Sequence, residues 1–191
     1  MKIVFATNNK NKIEEVQSLI PSHITILSLE AIGCHEEIPE TQPTIIGNAI
    51  QKVTYIKEYY GFDCFADDTG LEVNALGGAP GVYSARYAGP EKNSEANMAL
   101  LLSKLNTHTD RSAQFKTVVA LSFKGNITTF EGLCRGEITK TKKGTAGFGY
   151  DPLFKPSKEA HTFAELSTDR KNLIGHRGKA VRKLVSHLNS L

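Results

Sequence analysis

The sequence predicts an α/β protein, because stretches with the spacing of strands alternate with stretches that have the spacing of helices. Residues 2–6 form a short apolar strand, and apolar residues at helical spacing follow it over 13–20. An amphipathic helix over 44–60, which Gly61 terminates, leads into the apolar run at 64–66. The repeated order of strand and helix indicates a sheet covered by helices.

The other elements follow from the same two periodicities. Two β-rich stretches flank Lys124-Gly125-Asn126, which is the pattern of a hairpin. In chain order, the remaining predictions are a strand over 24–27, a helix over 94–105, hairpin strands over 113–123 and 127–137, a short capped helix from Ser167, and a final helix opened by residues 175–179.

Size and composition limit the possible classes of protein. The 191 residues fit a single domain, 1–191, with 40% hydrophobic and 23% charged residues. A net charge of +3 does not by itself indicate a nucleic-acid partner, but it suits a phosphate-bearing ligand. No apolar run approaches the roughly 18 residues of a membrane span. Three widely spaced cysteines and an N-terminus that reaches polar Thr7 early favour a cytoplasmic protein without a signal peptide.

A polar loop between the first strand and the first helix is a candidate anion site. It reads Thr7-Asn8-Asn9-Lys10-Asn11-Lys12. The free N–H groups at a helix N-terminus attract anions, especially phosphate, and the two lysines add positive charge. The alternative is an ordinary capped helix start with solvated lysines, and the glycines of a Walker loop are missing.

Two adjacent carboxylates, Asp67 and Asp68, follow the apolar run at 64–66. Thr69-Gly70 then predicts a turn, and Leu71-Glu72-Val73 predicts a second short strand. Neighbouring like charges must be solvated or matched by a cation, and a hard metal held by oxygen ligands would match them. A solvated turn is the alternative. Adjacent strand residues point to opposite faces, so the two acids have different roles.

Two later segments are also unusual in composition. Phe148-Gly149-Tyr150-Asp151 places aromatic side chains on glycine-flanked backbone, which is typical of a platform for a planar base. The alternative is a tight turn whose aromatics pack inward. Lys171, His176 and Arg177 form a basic group near the last helix, and an ordinary basic surface is the alternative there. Carboxylates without a His/Cys cluster favour Mg²⁺ over zinc.

Five motifs in chain order resemble those of the Ham1-like inosine triphosphate pyrophosphatases, also called dITP/XTP pyrophosphatases. The resemblance extends over nearly the whole chain. The matching segments are Thr7 to Lys12, Phe65 to Leu71, Leu76 to Tyr87, Phe148 to Pro152 and Gly175 to Ala180. Gly175 stands where the family motif has Ser, which removes a hydroxyl.

The resemblance implies a fold and an activity. The fold would be a long, twisted mixed β-sheet with flanking helices, in two lobes around a central cleft. The enzyme would hydrolyse non-standard purine nucleoside triphosphates (ITP, dITP, XTP) to the monophosphate and pyrophosphate with Mg²⁺. It would act as a cytoplasmic homodimer that removes deaminated purines from the nucleotide pool.

The resemblance also implies site residues. Asp68 would be the proton acceptor and a metal ligand, and Glu40 would be the second metal ligand. Residues 7–12 would hold phosphates. The nucleotide site would be lined by Thr69, Phe148, Gly149, Tyr150, Asp151, Lys171, His176 and Arg177. Of these, His176 and Arg177 would meet the base, where Arg177 can favour a 6-keto oxygen over an amino group.

Two other functions remain open at this stage. An enzyme with the same chemistry could act on modified pyrimidine nucleotides. A non-catalytic module could bind nucleotides or RNA through the basic last helix and exposed aromatics. The intact carboxylates of the central stretch speak against the second of these.

Overall fold

The structure, a computed structural model, describes residues 1–190. Its helices are α1 (Lys10–Gln17), α2 (Ile45–Tyr60), α3 (Ser94–Lys104), α4 (Thr168–Ile174) and α5 (His176–Leu188). Its strands are β1 (Lys2–Phe5), β2 (Thr25–Leu27), β3 (Cys64–Val73), β4 (Pro80–Gly81), β5 (Ser112–Phe123), β6 (Asn126–Ile138) and β7 (Phe154–Pro156).

The strands form one mixed sheet in the order β2-β1-β3-β5-β6-β7, and β4 pairs with β3. β1 pairs in parallel with both β2 and β3, so the helices α1 and α2 serve as crossover connections. β3 pairs antiparallel with β4, and β6 antiparallel with β7. The predicted α/β fold with a mixed sheet is therefore confirmed.

The local signals for α2 and the hairpin are also confirmed. Thr44 caps α2 by accepting the Gly47 N–H at 3.0 Å, and Gly61 ends the helix in the left-handed conformation with φ +76°. Between β5 and β6, Lys124 and Gly125 have φ of 47° and 81°. Positive φ at both central residues is the pattern of a two-residue hairpin turn.

The predicted turn after the adjacent aspartates is wrong. Residues 64–73 form one continuous strand, β3, in which Asp67 and Asp68 lie mid-strand and are buried. The prediction of a turn rested on the Thr69-Gly70 pair, and its alternative placed the two charges in solvent. Lysine and arginine side chains neutralise them instead, so the strand continues through Gly70 to Val73.

The chain divides into two compact units, and it passes from one to the other four times. Among the described residues, unit 1 comprises 1–68, 117–132 and 177–190, and unit 2 comprises 69–116 and 133–176. Three of the four passages lie inside the strands β3, β5 and β6, and the fourth lies at the start of α5. The two predicted lobes correspond to these units, while the division into a single domain 1–191 stays a prediction.

Each unit has its own apolar core. In unit 1, α5 packs Val181 and Leu184 against a cluster that includes the stacked rings of Phe5 and Phe65. In unit 2, the core includes Leu101 and Phe154. The three cysteines are buried free thiols. Within residues 1–190, none of the helices has the length and apolar character needed to cross a membrane.

Candidate active site

Unit 1 contains a buried cluster of charged side chains, which we call the carboxylate set. Two members come from α1, one from the loop before α2, one from α2, two from β3 and one from α5. The members are Lys12, Glu15, Glu40, Lys52, Asp67, Asp68 and Arg177.

Asp67 is the structural centre of the carboxylate set. Its Oδ1 accepts a hydrogen bond from Lys12 Nζ at 2.9 Å, and its Oδ2 accepts one from Arg177 Nε at 3.0 Å. Arg177 in turn forms an ion pair with Glu15, with 2.5 Å between Nη1 and Oε2. Burial acts to raise the pKa of Asp67, but Lys12, Arg177 and Lys52 together bring it well below its usual range. Asp67 therefore stays ionised and ties α1, β3 and α5 together.

Asp68 has different neighbours from Asp67. Asn48 Nδ2 donates to its Oδ2 at 3.2 Å, and Lys52 Nζ lies 3.9 Å from its Oδ1. Burial raises the pKa of Asp68 above its usual value despite the attraction of Lys52 and Lys12. A buried carboxylate with a raised pKa is suited to accept a proton.

Glu40 reaches the carboxylate set through contacts made by α2. Lys52 Nζ donates to Glu40 Oε1 at 2.7 Å, and the Glu40 side chain is 34% exposed. Gln51 holds Thr41 through two hydrogen bonds, and Asn48 Oδ1 accepts the Gln42 N–H at 2.9 Å. One face of α2 thus fixes the loop that carries Glu40.

The predicted phosphate loop is in unit 1 and leads into α1. Asn9 caps the helix, since its Oδ1 accepts the Lys12 N–H at 3.2 Å, and Thr7 Oγ1 accepts the Asn9 N–H at 3.2 Å. Thr7 and Lys12 are half-buried, Lys12 against Asp67, whereas the four residues between them are exposed: Asn8, Asn9, Lys10 and Asn11. Burial lowers the pKa of Lys12 more than Asp67 raises it.

Unit 2 contains a second cluster, which we call the aromatic set: Phe115, Phe148, Asp151, Phe163, Lys171 and His176. Asp151 Oδ2 accepts hydrogen bonds from Lys171 Nζ at 2.6 Å and from the Phe148 N–H at 2.9 Å. The Lys171 ammonium lies 4.9 Å from the centre of the Phe148 ring. One buried ion pair therefore fixes both the lysine and the turn that presents Phe148.

His176 is buried among the rings of the aromatic set. Its imidazole stacks on Phe115 with 4.5 Å between ring centres and an interplanar angle of 17°. Phe163 lies 5.8 Å away in a tilted arrangement. Thr69, the first residue of unit 2 on β3, is half-buried.

Two predicted nucleotide-site residues have surroundings that differ from those expected. Tyr150 is 4% exposed and its hydroxyl donates to the Ser84 carbonyl at 2.9 Å. Its ring therefore packs into the core, and only Phe148 and Gly149 of the predicted aromatic platform are half-buried. Arg177 is 3% exposed and its guanidinium binds Glu15 and Asp67. Its role at the base stays a prediction.

Sequence reasoning missed Lys52, Asn48 and Glu15 in unit 1. Asn48 and Lys52 are four residues apart in α2, so they share a face beside the apolar stripe that contains Ala49 and Val53. Polar residues at helical spacing beside a buried apolar stripe are a sequence signal from which Asn48 and Lys52 could have been predicted. Phe115 and Phe163, which sequence reasoning also missed, come from distant segments and carry no such signal.

A divalent metal fits the positions of Glu40 and Asp68. Within residues 1–190, no group of three or more His, Cys, Asp or Glu side chains is arranged to hold a metal. However, Glu40 and Asp68 both face one cation, the Lys52 ammonium. Mg²⁺ is held by one or two carboxylates together with substrate phosphates and water, so a pair of carboxylates is sufficient.

Comparison with known proteins identifies the family. The Ham1 family model matches residues 3–187. A dITP/XTP pyrophosphatase of Flavobacterium johnsoniae is 60% identical over 190 residues, covering 100% of this chain and 99% of the relative. One of Christiangramia forsetii is 56% identical, covering 99% of this chain and 100% of the relative. The solved Ham1 protein of Staphylococcus aureus is 40% identical, with a TM-score of 0.91 and coverage of 100% and 99%. The chain belongs to the Ham1 family.

Proposed function

We propose that the protein is a nucleoside-triphosphate pyrophosphatase that hydrolyses ITP, dITP and XTP to the monophosphate and pyrophosphate. Full-length relatives with 56–60% identity are named dITP/XTP pyrophosphatases. The observation that carries the proposal for this chain is the carboxylate set, where Asp68 has a raised pKa beside the cations Lys52 and Lys12. This arrangement can accept a proton from water next to groups that bind phosphate.

The chain's own residues perform distinct steps in this mechanism. Asp68 accepts a proton from the water that attacks the α-phosphorus. The N–H groups at the start of α1, together with Lys12, bind the departing pyrophosphate. Asp67 holds the Lys12 ammonium in place through the 2.9 Å ion pair. Glu40 and Asp68 would hold Mg²⁺, which when bound would neutralise charge on the phosphates.

We assign binding of the purine base of the substrate to the aromatic set. Phe148 offers a half-buried ring for stacking, and Asp151 with Lys171 offers one acceptor and one donor group. His176 lies beside these groups in the same unit, and Arg177 is the next residue along the chain. A cationic hydrogen-bond donor favours hypoxanthine and xanthine, because their 6-keto oxygen accepts a hydrogen bond. It disfavours adenine, because the 6-amino group is itself a donor.

We further assign the protein to the cytoplasm, as a homodimer without a nucleic-acid or membrane partner. The net charge of +3 is too small to favour binding to polyanions. The free buried thiols fit a reducing compartment. Sedimentation velocity of the purified protein tests the dimer directly, and a monomer at micromolar concentration would contradict it.

A substrate panel tests the function. ITP, dITP, XTP, GTP, ATP and modified pyrimidine triphosphates are incubated with the protein and Mg²⁺, and pyrophosphate and orthophosphate are measured separately. We expect pyrophosphate and monophosphate from ITP, dITP and XTP at rates well above those for ATP. Orthophosphate as the product would contradict the reaction class. A preference for modified pyrimidines, or RNA binding without turnover, would support one of the two other functions.

A further inference from the structure

We propose that Lys52 occupies the place of the divalent cation in the free enzyme and competes with it for Glu40 and Asp68. The inference rests on the proposed function, in which these two carboxylates hold the metal. Lys52 is then a positioning residue that neutralises the two carboxylates before the metal binds and makes cation binding depend on the nucleotide.

The contacts of the Lys52 ammonium support this role. Its Nζ lies 2.7 Å from Glu40 Oε1, 2.7 Å from the Asp67 carbonyl oxygen and 3.9 Å from Asp68 Oδ1. Its side chain is 6% exposed. An ammonium has three donors in a compact group, so it gathers oxygen atoms around one point as a small cation does. Two of these three oxygens belong to Glu40 and Asp68, the carboxylates proposed to hold the metal.

The Lys52 ammonium and a divalent metal ion repel each other. They therefore cannot both bind Glu40 and Asp68 unless a further anion is present. Glu40 and Asp68 would repel each other in a buried setting, and the Lys52 charge offsets that repulsion. A divalent ion bound to the same carboxylates would face the positive charge of Lys52 at short range. A nucleoside triphosphate brings several negative charges and relieves this conflict. Nucleotide and metal must therefore strengthen each other's binding, and by the same factor.

The structure permits Lys52 to move while Glu40 stays. The loop that carries Glu40 is held by Asn48 and Gln51 of α2. Those contacts do not involve the ammonium. The Lys52 charge is at the end of a flexible four-carbon chain, so rotation of that chain alone can release Glu40.

Binding of Mn²⁺ in the absence of nucleotide tests the competition. Mn²⁺ affinity is measured by electron paramagnetic resonance for the wild type and for Lys52→Met, which removes the charge and keeps the length. We expect Lys52→Met to bind Mn²⁺ roughly tenfold more tightly or better, since one nearby charge changes the proton affinity of a carboxylate by about 1–3 pKa units. The matched control is Lys57→Met on the same helix, whose partner is Asp63 and which should leave the affinity unchanged. Equal or weaker binding by Lys52→Met would overturn the inference.

Glu40→Gln separates this inference from the proposed function. We expect Glu40→Gln to weaken Mn²⁺ binding and to abolish most of the gain when combined with Lys52→Met. If Glu40→Gln binds Mn²⁺ with the affinity of the wild type, the proposed location of the metal site is wrong and the inference fails with it. If Glu40→Gln weakens binding but Lys52→Met brings no gain, only the inference fails.

A measurement on the wild type covers the case in which Lys52→Met does not fold. The side-chain ¹³Cε signal of Lys52 is followed by NMR as Mg²⁺ is added with and without a non-hydrolysable ITP analogue. We expect the Lys52 signal to shift on Mg²⁺ binding, while that of Lys57 stays unchanged. An unmoved Lys52 signal at saturating Mg²⁺ would overturn the competition.

Discussion

The carboxylate set and the aromatic set use different physics to fix their side chains. In the carboxylate set, four carboxylates share three cationic groups, so each charge is held by its neighbours and one negative charge remains in excess. In the aromatic set, one ion pair between Asp151 and Lys171 lies among stacked rings. The first arrangement suits a metal cation, which an excess negative charge attracts. The second suits a planar base, which carries little charge.

The same contrast divides Asp67 from Asp68 on one strand. Both lie on β3, but the pKa of Asp67 is lowered by Lys12 and Arg177 against the effect of burial, whereas burial raises the pKa of Asp68. A carboxylate with a lowered pKa contributes to stability as an anion. A carboxylate with a raised pKa takes up a proton more readily, which suits it to act as a proton acceptor in catalysis.

The largest expected change in stability is that of Asp67→Asn. The substitution leaves the buried cations Lys12 and Arg177 without their shared carboxylate, and breaking a buried ion pair costs about 3–5 kcal/mol. Urea denaturation at pH 7 measures the loss. The matched control is Asp68→Asn. Burial disfavours the charged form of Asp68, so we expect this variant to lose little free energy of unfolding. Similar losses for both variants would remove the distinction between the two aspartates.

Asp68→Asn should instead affect turnover. An amide keeps the hydrogen bond with Asn48 but cannot accept a proton, so we expect turnover of ITP to fall by about a hundredfold or more. Release of pyrophosphate at saturating ITP and Mg²⁺ measures the effect. Near-normal turnover by a folded Asp68→Asn protein would exclude Asp68 both as the proton acceptor and as a metal ligand.

Gly147→Ala tests whether the Asp151 position matters in the aromatic set. A Cβ at Gly147 would lie 2.1 Å from Asp151 Oδ2, and the residue has φ +76°. The control is Gly77→Ala in the same unit, with φ +62° and open space around the new methyl. Backbone strain costs both variants about 1–2 kcal/mol. Only Gly147→Ala displaces Asp151, so only this variant should raise the KM for ITP, by roughly tenfold or more. Equal KM values would show that the Asp151 position is not important.

The fold was largely predictable from sequence because its signals are local. The cap at Thr44, the Gly61 stop and the Lys124-Gly125 turn each depend on residues next to them in the chain. The continuation of β3 through Asp67 and Asp68 was not predictable in this way. It depends on cations from α1, α2 and α5, which are distant in sequence.

The same limit applies to the candidate site. Asp68 and Lys12 could be proposed because they lie in motifs that resemble those of the family. Lys52 could not, because its importance comes from Glu40 and Asp68, which lie 12 and 16 residues away and meet it only in the fold. Tyr150 illustrates the opposite case, because its glycine neighbours suggested exposure while its hydroxyl found a buried partner in Ser84.

The smallest expected effect is a change in stability on substitution of Glu165, which supports the aromatic set in unit 2. Its Oε2 accepts hydrogen bonds from the Thr162 N–H at 2.8 Å and the Thr162 hydroxyl at 3.1 Å, which fixes the turn that carries Phe163. The bond from the Thr162 N–H is the main cause that lowers the pKa of Glu165. Because the folded pKa lies below the unfolded value of about 4.3, the stabilisation is present above that pH and is lost as the pH falls below it. The urea midpoint of Glu165→Gln should therefore lie below that of the wild type at pH 7, and the gap should narrow at pH 3. A gap that does not change with pH would mean that the charge of Glu165 contributes nothing, and that the Thr162 turn is held by hydrogen-bond geometry alone.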